Sequence, residues 1–103
     1  MDENKIEEAA SVLFESIRGL AFAGSGLSQE SGIPTFRGDN GMYNDPEILS
    51  YTRADTFQSK PERVLTWYQQ RRDNLSEVEP NPGHFSLARI SEEVNLFQVA
   101  TQN

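Results

Sequence analysis

The stretch LAFAGSGLSQESGIPTFRG, residues 20–38, determines the predicted fold of this chain. It begins with the short apolar run 20–23, which glycines bound on both sides and which is typical of a buried parallel strand. The glycine-rich turn 24–26 ends this run, and one or two helical turns are expected over 27–32. A strand that ends in a glycine turn and leads into a helix is a usual beginning of an α/β fold.

Helical periodicity lies on both sides of this stretch. Before it, apolar residues recur at helical spacing and predict a helix over 4–18. After it, the pattern predicts helices over 60–75 and 82–94 and a second strand over 96–101. This order of elements predicts an α/β protein that contains the first β–α–β portion of a Rossmann-like parallel sheet. The sheet is expected to be incomplete, because two strands alone leave both sheet edges open.

Local signals mark where the helices begin and where regular structure is weak. Ser59 and Glu62 match a capping box for the second helix, and Asn81 is the expected N-cap of the third. Residues 33–59 are rich in Gly, Pro, Asp and Asn and show little periodicity. We therefore predict a long functional or mobile loop there.

The composition excludes several classes of protein. With 103 residues the chain fits one domain at most, and its net charge of −7 argues against nucleic-acid binding through a basic face. No run of about 18 apolar residues is present to span a membrane, and the N-terminus lacks the apolar core of a secretory signal. A cytoplasmic location is therefore expected. The absence of cysteine excludes a disulfide framework, a cysteine zinc site and a cysteine nucleophile, so no metal is predicted in this chain.

The glycine-rich turn is the first candidate functional site. Gly24, Ser25 and Gly26 stand at a strand end and a helix start, a context that suits phosphate binding because free backbone N–H groups face the anion there. A plain strand-to-helix turn explains the same residues equally well. Gln29 stands where the dinucleotide fingerprint has its third glycine, which disfavours an ordinary Rossmann dehydrogenase.

The longer motif that follows is more specific, because it resembles the nucleotide-binding signature of the sirtuins, the NAD-dependent protein lysine deacylases. Tyr43 stands where this family commonly has Trp, and Ser25 where it usually has Ala. The segments 80–88 and 101–103 resemble two later family segments in family order, so that the resemblance spans about residues 12–103. The matching positions of the main motif are Ser28, Ser31, Gly32, Ile33, Pro34, Phe36, Arg37 and Gly38.

The resemblance implies an NAD site. In it the glycine turn accommodates the pyrophosphate, Phe36 shields the reactive ribose carbon near the nicotinamide, and Arg37 supplies a cation. Asn103 would support catalysis near that ribose. Without the family, Phe36 fits a core aromatic residue and Arg37 a solvated loop charge. The implied cofactor-binding residues are Gly24, Ser25, Gly26, Ser28, Glu30, Ser31, Gly32, Ile33, Pro34, Thr35, Phe36, Arg37, Tyr43, Gln102 and Asn103.

The second helix carries a further hint about the substrate. Tyr68 and Arg71 resemble the Tyr-x-x-Arg of sirtuins that remove acidic acyl groups such as succinyl and malonyl. They are three residues apart and share a helix face, and a guanidinium with a phenol suits an acyl carboxylate. An ordinary amphipathic face with Tyr68 in the core explains the same two residues. His84, the single histidine, is expected to cap a helix near Asn81 and not to act as a base.

The resemblance implies an enzyme, a transferase that passes the acyl group of acyl-lysine to ADP-ribose and releases nicotinamide. In the family the catalytic histidine, the four zinc cysteines and the peptide-binding strand follow the segment that resembles 101–103. We therefore expect 1–103 to be a partial NAD-binding domain that lacks the zinc-binding small domain. This partial domain is expected to bind NAD at most. Acyl-lysine protein would be a substrate only of a completed protein, and zinc belongs to the full-length family.

Three alternatives remain open at the level of sequence. The chain could be a non-catalytic NAD- or ADP-ribose-binding remnant, or a subunit that needs a partner chain. A Sir2-type NAD hydrolase is the weaker enzyme alternative, because Tyr68 and Arg71 point to an acyl substrate.

Overall fold

A computed structural model describes residues 2–103. The α-helices are α1 (Glu3–Glu15), α2 (Pro46–Ser50), α3 (Ala54–Ser59), α4 (Pro61–Leu75) and α5 (Pro82–Glu93). The strands are β1 (Arg18–Ala23) and β2 (Leu96–Thr101), and short 3-10 helices cover Ser25–Ser31 and Met42–Asn44. Within the described residues, no helix is both long and apolar enough to cross a membrane.

These elements fall into two compact units. One consists of the chain up to Leu27 and from Asn81 onward, and we call it the sheet unit. The other consists of 28–80, and we call it the helical unit. Val94 is buried in the sheet unit and Val64 in the helical unit.

The sheet unit contains the predicted parallel strand pair. β1 and β2 pair in parallel, with Gly19 beside Phe97 and Ala23 beside Thr101. Because parallel neighbours need a crossover between them, this arrangement confirms the predicted β–α–β order of an α/β fold. The register brings the carboxyl ends of the two strands to the same edge of the sheet.

The prediction of a buried first strand is wrong for the chain as described. Leu20 is 65% exposed and Phe22 86% exposed. On the opposite face, a Cβ added to Gly19 would lie 2.8 Å from the ring of Phe97 and 3.5 Å from the side chain of Leu13. β1 therefore packs through the face that carries Gly19, next to Phe97 of β2, and its own large apolar side chains, Leu20 and Phe22, lie on the exposed face.

The bounds of the first helix also differ from the prediction. The helix ends at Glu15, where the N–H of Ser16 donates to the carbonyl of Leu13, and Arg18 already belongs to β1. At its beginning Asp2 is the N-cap and accepts a hydrogen bond from the N–H of Asn4. An acidic N-cap satisfies one of the unpaired N–H groups of the first turn.

The helical unit contains more regular structure than the composition of 33–59 predicts. A 3-10 helix and the short helices α2 and α3 lie within this range. Asp45 caps α2 by accepting from the N–H of Glu47, and Pro46 occupies its first turn. Helices of five and six residues are too short to show periodicity, which is why the pattern missed them.

The capping box predicted at Ser59 and Glu62 is wrong, whereas the cap at Asn81 is confirmed. Ser59 ends α3, and α4 begins after Lys60, which makes no side-chain capping bond. The Asn81 side chain accepts from the N–H groups of Gly83 and His84. The loop between α3 and α4 leaves no room for a separate cap, because the two helices are one residue apart.

Candidate functional site

The glycine-rich turn and the C-terminal residues follow two neighbouring strand ends. β1 ends at Ala23 and β2 at Thr101, and these residues pair directly. The turn 24–26 and the pair 102–103 therefore leave the same edge of the sheet. The N–H of Asn103 donates to Thr101 Oγ1 at 3.0 Å. In open α/β sheets, this carboxyl edge is where ligands bind.

Gly24 and Gly26 are exposed and have ordinary backbone angles. A Cβ built on either one meets no atom within 4 Å. Among the described residues the glycines with positive φ are Gly32 and Gly38, so neither turn glycine is required by its backbone conformation. The structure thus leaves open space along this backbone, which would allow a ligand to approach it closely.

Asn81 fixes the end of the glycine-rich turn. It is buried, and its Nδ2 donates to the carbonyl oxygen of Leu27 at 2.8 Å. Its Oδ1 accepts from Gly83 N at 2.8 Å, and its own N–H donates to His84 Nδ1 at 3.1 Å. One side chain therefore joins the start of α5 to the turn. His84 is a capping residue, as the sequence predicts.

In the helical unit, the signature residues begin in a 3-10 helix and then turn sharply. Ser28 is buried and its carbonyl accepts from Ile33 N at 3.3 Å. Gly32 has φ +92°, a conformation that favours glycine and ends the helix. Ser31 is half-buried, and Glu30 is exposed.

The next residues form a closed turn between 35 and 43. Thr35 O accepts from Met42 N at 2.8 Å, and Phe36 O accepts from Tyr43 N at 2.7 Å. Gly41 is buried inside this turn, and a Cβ there would lie 2.5 Å from Phe36 O. The two hydrogen bonds bring the rings of Phe36 and Tyr43 together, with centroids 5.0 Å apart.

The guanidinium of Arg71 packs between two aromatic rings. Its carbon lies 5.1 Å from the ring centroid of Phe36 and 5.1 Å from that of Trp67. One of its nitrogens contacts the sulfur of Met42. Cation–π contacts of this kind contribute about 0.5–2 kcal/mol each. We call Phe36, Met42, Tyr43, Trp67 and Arg71 the arginine cluster.

The arginine cluster adjoins a cavity of about 510 Å³ within the helical unit. Ile33 and Pro34 line it, both of them predicted NAD contacts, together with Arg71 of the predicted acyl-binding pair. Its other lining residues are Gly32, Met42, Trp67, Gln70, Asn74, Leu75, Glu77 and Val78.

The structure brings together some predicted site residues and leaves others apart. Phe36, Tyr43 and Arg71 meet in the arginine cluster. Arg37 is exposed, and Tyr68 is 45% exposed with its ring 4.9 Å from that of Trp67. No hydrogen bond joins Tyr68 to Arg71 among residues 2–103. On α4, Arg71 contacts Trp67, which lies four residues before it. The i, i+4 spacing of these two residues in the sequence is the signal that predicts this contact.

Sequence reasoning also missed Gly41, whose packing closes the turn beneath Phe36. A glycine within a polar loop carries no signal of such a contact, because the atoms that it meets are backbone atoms of 36–37.

The residues present do not fit the zinc site of the sirtuin resemblance. The sequence has no cysteine. Within 2–103, no group of three or more His, Asp or Glu side chains is arranged to hold a metal ion.

Comparison with protein families and curated proteins gives a consistent result. Residues 24–103 match the profile of the Sir2 family. The chain is 37% identical over 98 residues to an NAD-dependent protein deacylase of Pyrococcus abyssi, covering 95% of this chain and 39% of that protein. It is 41% identical over 98 residues to one of Aeropyrum pernix, covering 93% and 39%. The chain thus spans about two fifths of the length of these relatives.

Solved structures show the same likeness. A Sir2 homologue in complex with ADP-ribose has a TM-score of 0.82 and 34% identity, covering 100% of this chain and 40% of that one. A Sir2 protein with a deacetylated p53 peptide and 3'-O-acetyl ADP-ribose has a TM-score of 0.79 and 33% identity, covering 95% and 39%.

Proposed function

Because the chain belongs to the Sir2 family, we propose that it forms the NAD-binding part of an NAD-dependent protein lysine deacylase. The relatives that carry this name match nearly the whole chain. In the proposed reaction the acyl group of a lysine side chain passes to ADP-ribose and nicotinamide is released. NAD, when bound, supplies the electrophilic ribose carbon for this transfer.

The observation that carries the NAD assignment is the open glycine-rich turn. Gly24 and Gly26 are needed neither for backbone conformation nor for packing within the described chain. A ligand that lies against the backbone explains both glycines, because any Cβ would then occupy its place. A pyrophosphate at this strand edge and helix start would accept hydrogen bonds from backbone N–H groups of the turn.

The remaining residues receive roles by position. Asn103 leaves the same sheet edge as the glycine-rich turn, which supports a contact with the ribose. Phe36 is held by Tyr43 in the helical unit and is proposed to face the nicotinamide end. The other proposed NAD contacts are Ser25, Ser28, Glu30, Ser31, Gly32, Ile33, Pro34, Thr35, Arg37, Tyr43 and Gln102.

Titration calorimetry with NAD and with ADP-ribose tests this assignment. We expect both ligands to bind the full chain, since the ADP-ribose portion carries the pyrophosphate and both riboses. Absence of binding of either nucleotide at millimolar concentration would contradict it.

The chain by itself is expected to bind without turnover. Its single histidine, His84, is held in the cap of α5, where its Nδ1 accepts from Asn81 N. No other histidine is present to act as general base on a ribose hydroxyl. Incubation with NAD and an acetylated or succinylated peptide should release no nicotinamide above background; release that scales with protein would disprove this.

For the acyl group, we propose a carboxylate-bearing acyl such as succinyl or malonyl, bound by Arg71 and Tyr68. Arg71 is half-buried, and no described carboxylate lies within ion-pair distance of it. A half-buried guanidinium without an acidic partner favours an anionic ligand, since a planar guanidinium binds carboxylate with two parallel bonds.

Arg71 and Arg72 form a matched pair for testing this acyl preference. Arg72 is the neighbouring residue on α4 and is exposed. We expect Nε-succinyl-lysine to perturb the NMR signals around Arg71, and Nε-acetyl-lysine to leave them unchanged. Arg71→Met should abolish the effect and Arg72→Met should keep it. Equal responses to the two acyl-lysines would refute the preference.

A second candidate, a subunit that works with another polypeptide, is favoured by the exposed apolar face of β1. Leu20 and Phe22 are 65% and 86% exposed, which is unusual for large apolar side chains of a strand in a parallel sheet. Size-exclusion chromatography of the native material would show a complex larger than 11.6 kDa if this candidate is correct. A monomer would eliminate it.

A further inference from the structure

Trp67 and Phe36 contact the same guanidinium. Each ring centroid lies 5.1 Å from the central carbon of Arg71. Phe36 comes from the closed turn and Trp67 from α4 itself, so the arginine is held from two different elements of the helical unit. A long arginine side chain that is otherwise flexible is thereby restricted to one region.

Most N–H donors of the Arg71 guanidinium have no described protein acceptor. The described ion pairs join Arg53 with Asp55 and Arg63 with Glu47, not Arg71 with any acid. Its described hydrogen bond goes to the Met42 sulfur, which is a weak acceptor. A guanidinium has five N–H donors in its plane, and aromatic rings interact with its faces. Apart from water, a carboxylate would therefore compete for the donors with a thioether among the described groups.

The rings that hold Arg71 are themselves held. The Trp67 centroid lies 5.6 Å from that of Tyr51 and 4.9 Å from that of Tyr68. The Phe36 centroid lies 5.0 Å from that of Tyr43. Tyr51 in turn donates to Glu47 Oε1 at 2.9 Å. A group whose neighbours are fixed loses less entropy when it binds a ligand.

We propose that Trp67 is a positioning residue for an acidic acyl group: together with Phe36 it holds the Arg71 guanidinium so that a carboxylate binds along its N–H edge. This rests on the proposed acyl preference and adds to it a residue outside the Tyr-x-x-Arg pair. Phe36 would then contact both the arginine that binds the acyl group and the nicotinamide end of NAD.

A purely structural Trp67 makes a different prediction. If the indole only fills space on α4, its replacement would lower stability without changing how Arg71 binds a carboxylate. The arginine Nε–Hε signals in NMR separate the two roles, because they report on ring stacking and on carboxylate binding for each arginine individually. Arg72 provides an internal control in the same spectrum, since it is exposed and adjacent.

The experiment titrates the full chain with Nε-succinyl-lysine and follows the Hε signals. We expect the Arg71 Hε signal to lie upfield of the Arg72 signal, because of ring currents, and to shift alone on titration. Trp67→Leu should reduce the upfield displacement and raise the apparent Kd about fivefold, as expected for the loss of one cation–π contact. Trp67→Phe, which keeps a ring, should fall between. Leu65→Ala, at another exposed position of α4, should change neither.

A second measurement covers the case in which Trp67→Leu does not fold. Trp67 is the single tryptophan of the chain, so growth on fluorinated tryptophan labels this site alone. Fluorine withdraws charge from the ring face and weakens cation–π attraction with little change in shape. The apparent Kd should rise stepwise from tryptophan to 5-fluorotryptophan to a trifluorinated ring; an unchanged Kd across this series overturns the proposal.

The outcomes separate the two proposals. If Arg71 responds to the ligand and both Trp67 replacements leave its Kd unchanged, Trp67 has no positioning role and the acyl preference stands. If the Arg71 signal is displaced upfield but does not respond in the wild-type chain, the acyl preference fails and the positioning role falls with it. Loss of both displacement and affinity on replacement supports the proposal.

Discussion

The chain contains two glycine-rich turns that differ in what surrounds them. In the sheet unit, Gly24 and Gly26 have open space where a Cβ would point. In the helical unit, a Cβ on Gly41 would lie 2.5 Å from Phe36 O and 2.6 Å from the carbonyl carbon of Arg37. Gly41 is buried, whereas the other two are exposed.

The difference shows that one residue type meets two different requirements. The backbone angles of Gly41, φ −70° and ψ 146°, suit any residue. Glycine is nevertheless required there by the fold, because a side chain would collide with backbone atoms of 36–37. No contact within the described chain explains a glycine at position 24 or 26, whereas the proposed nucleotide would explain both. Substitutions at the two turns should therefore separate stability from binding.

The largest effect is expected for Gly41→Ala. The added methyl group would press against backbone atoms that cannot rotate away, so the turn that carries Phe36 must open. We expect a loss of about 2–3 kcal/mol in the free energy of unfolding, in the range of overpacked sites. Urea denaturation followed by the fluorescence of Trp67, which lies in the helical unit, measures it. An unchanged urea midpoint would show that the turn yields easily.

Substitution of Asn81 should have the next largest effect, because its side chain caps α5 and also donates to Leu27 O at the end of the glycine-rich turn. Asn81→Leu loses both the cap of α5 and the bond to Leu27 O, and should cost about 2 kcal/mol. Asn81→Asp keeps the capping acceptor and loses the donor, so its cost should be smaller. Thermal unfolding followed by circular dichroism compares the two; an Asn81→Asp variant as stable as the original chain would mean that the bond to Leu27 contributes nothing.

At Gly26 we expect stability and binding to change in opposite directions. The added methyl group of Gly26→Ala would contact no described atom, and the residue needs no positive φ. The substitution should therefore stabilise the chain by about 0.5 kcal/mol, because alanine lowers the conformational entropy of the unfolded state. The same methyl group would occupy the space proposed for pyrophosphate, and ADP-ribose affinity should fall at least about tenfold, or ~1.4 kcal/mol. Calorimetric binding and urea denaturation are measured on one preparation. Undiminished binding would remove the main support for the NAD site.

The smallest effect concerns a surface pair away from both turns. Hydrogen bonding from Arg53 lowers the pKa of Asp55 below its ordinary value of 3.8. A carboxylate with a lowered folded-state pKa stabilises the fold above its unfolded pKa, and this contribution is lost as pH falls through the folded value. NMR titration of Asp55 should give a midpoint below the ordinary 3.8, and Arg53→Met should raise that midpoint. An identical midpoint in both chains would contradict the pairing.

The sequence predicted the elements that are long or bounded by clear signals. The strand 96–101 and the helix over 82–94 agree closely with β2 and α5, and Asn81 caps as its pattern indicates. The exposure of Phe22 was not predictable, because a short apolar run is the same whether one or both faces of its strand are covered.

For the candidate site, the sequence does not show how the predicted residues contact one another. Arg71 was assigned to a pair with Tyr68 by spacing and family resemblance. Its described contacts are instead Phe36, 35 positions earlier in the chain, and Trp67 on its own helix. Side-chain direction on a helix and the path of an irregular loop are set by packing, which local patterns do not encode.

By itself, the amino-acid sequence determined the α/β order, the two strands, the family signature and the cap at Asn81. The element order, the strands and the cap follow from short-range periodicity and turn chemistry, which act between neighbours in the chain, and the signature rests on the resemblance of its motif to the sirtuins. Only the tertiary structure decided that Gly41 is a packing glycine and Gly26 an open one, and that Arg71 is held by two rings. Those distinctions depend on which atoms approach from distant parts of the chain.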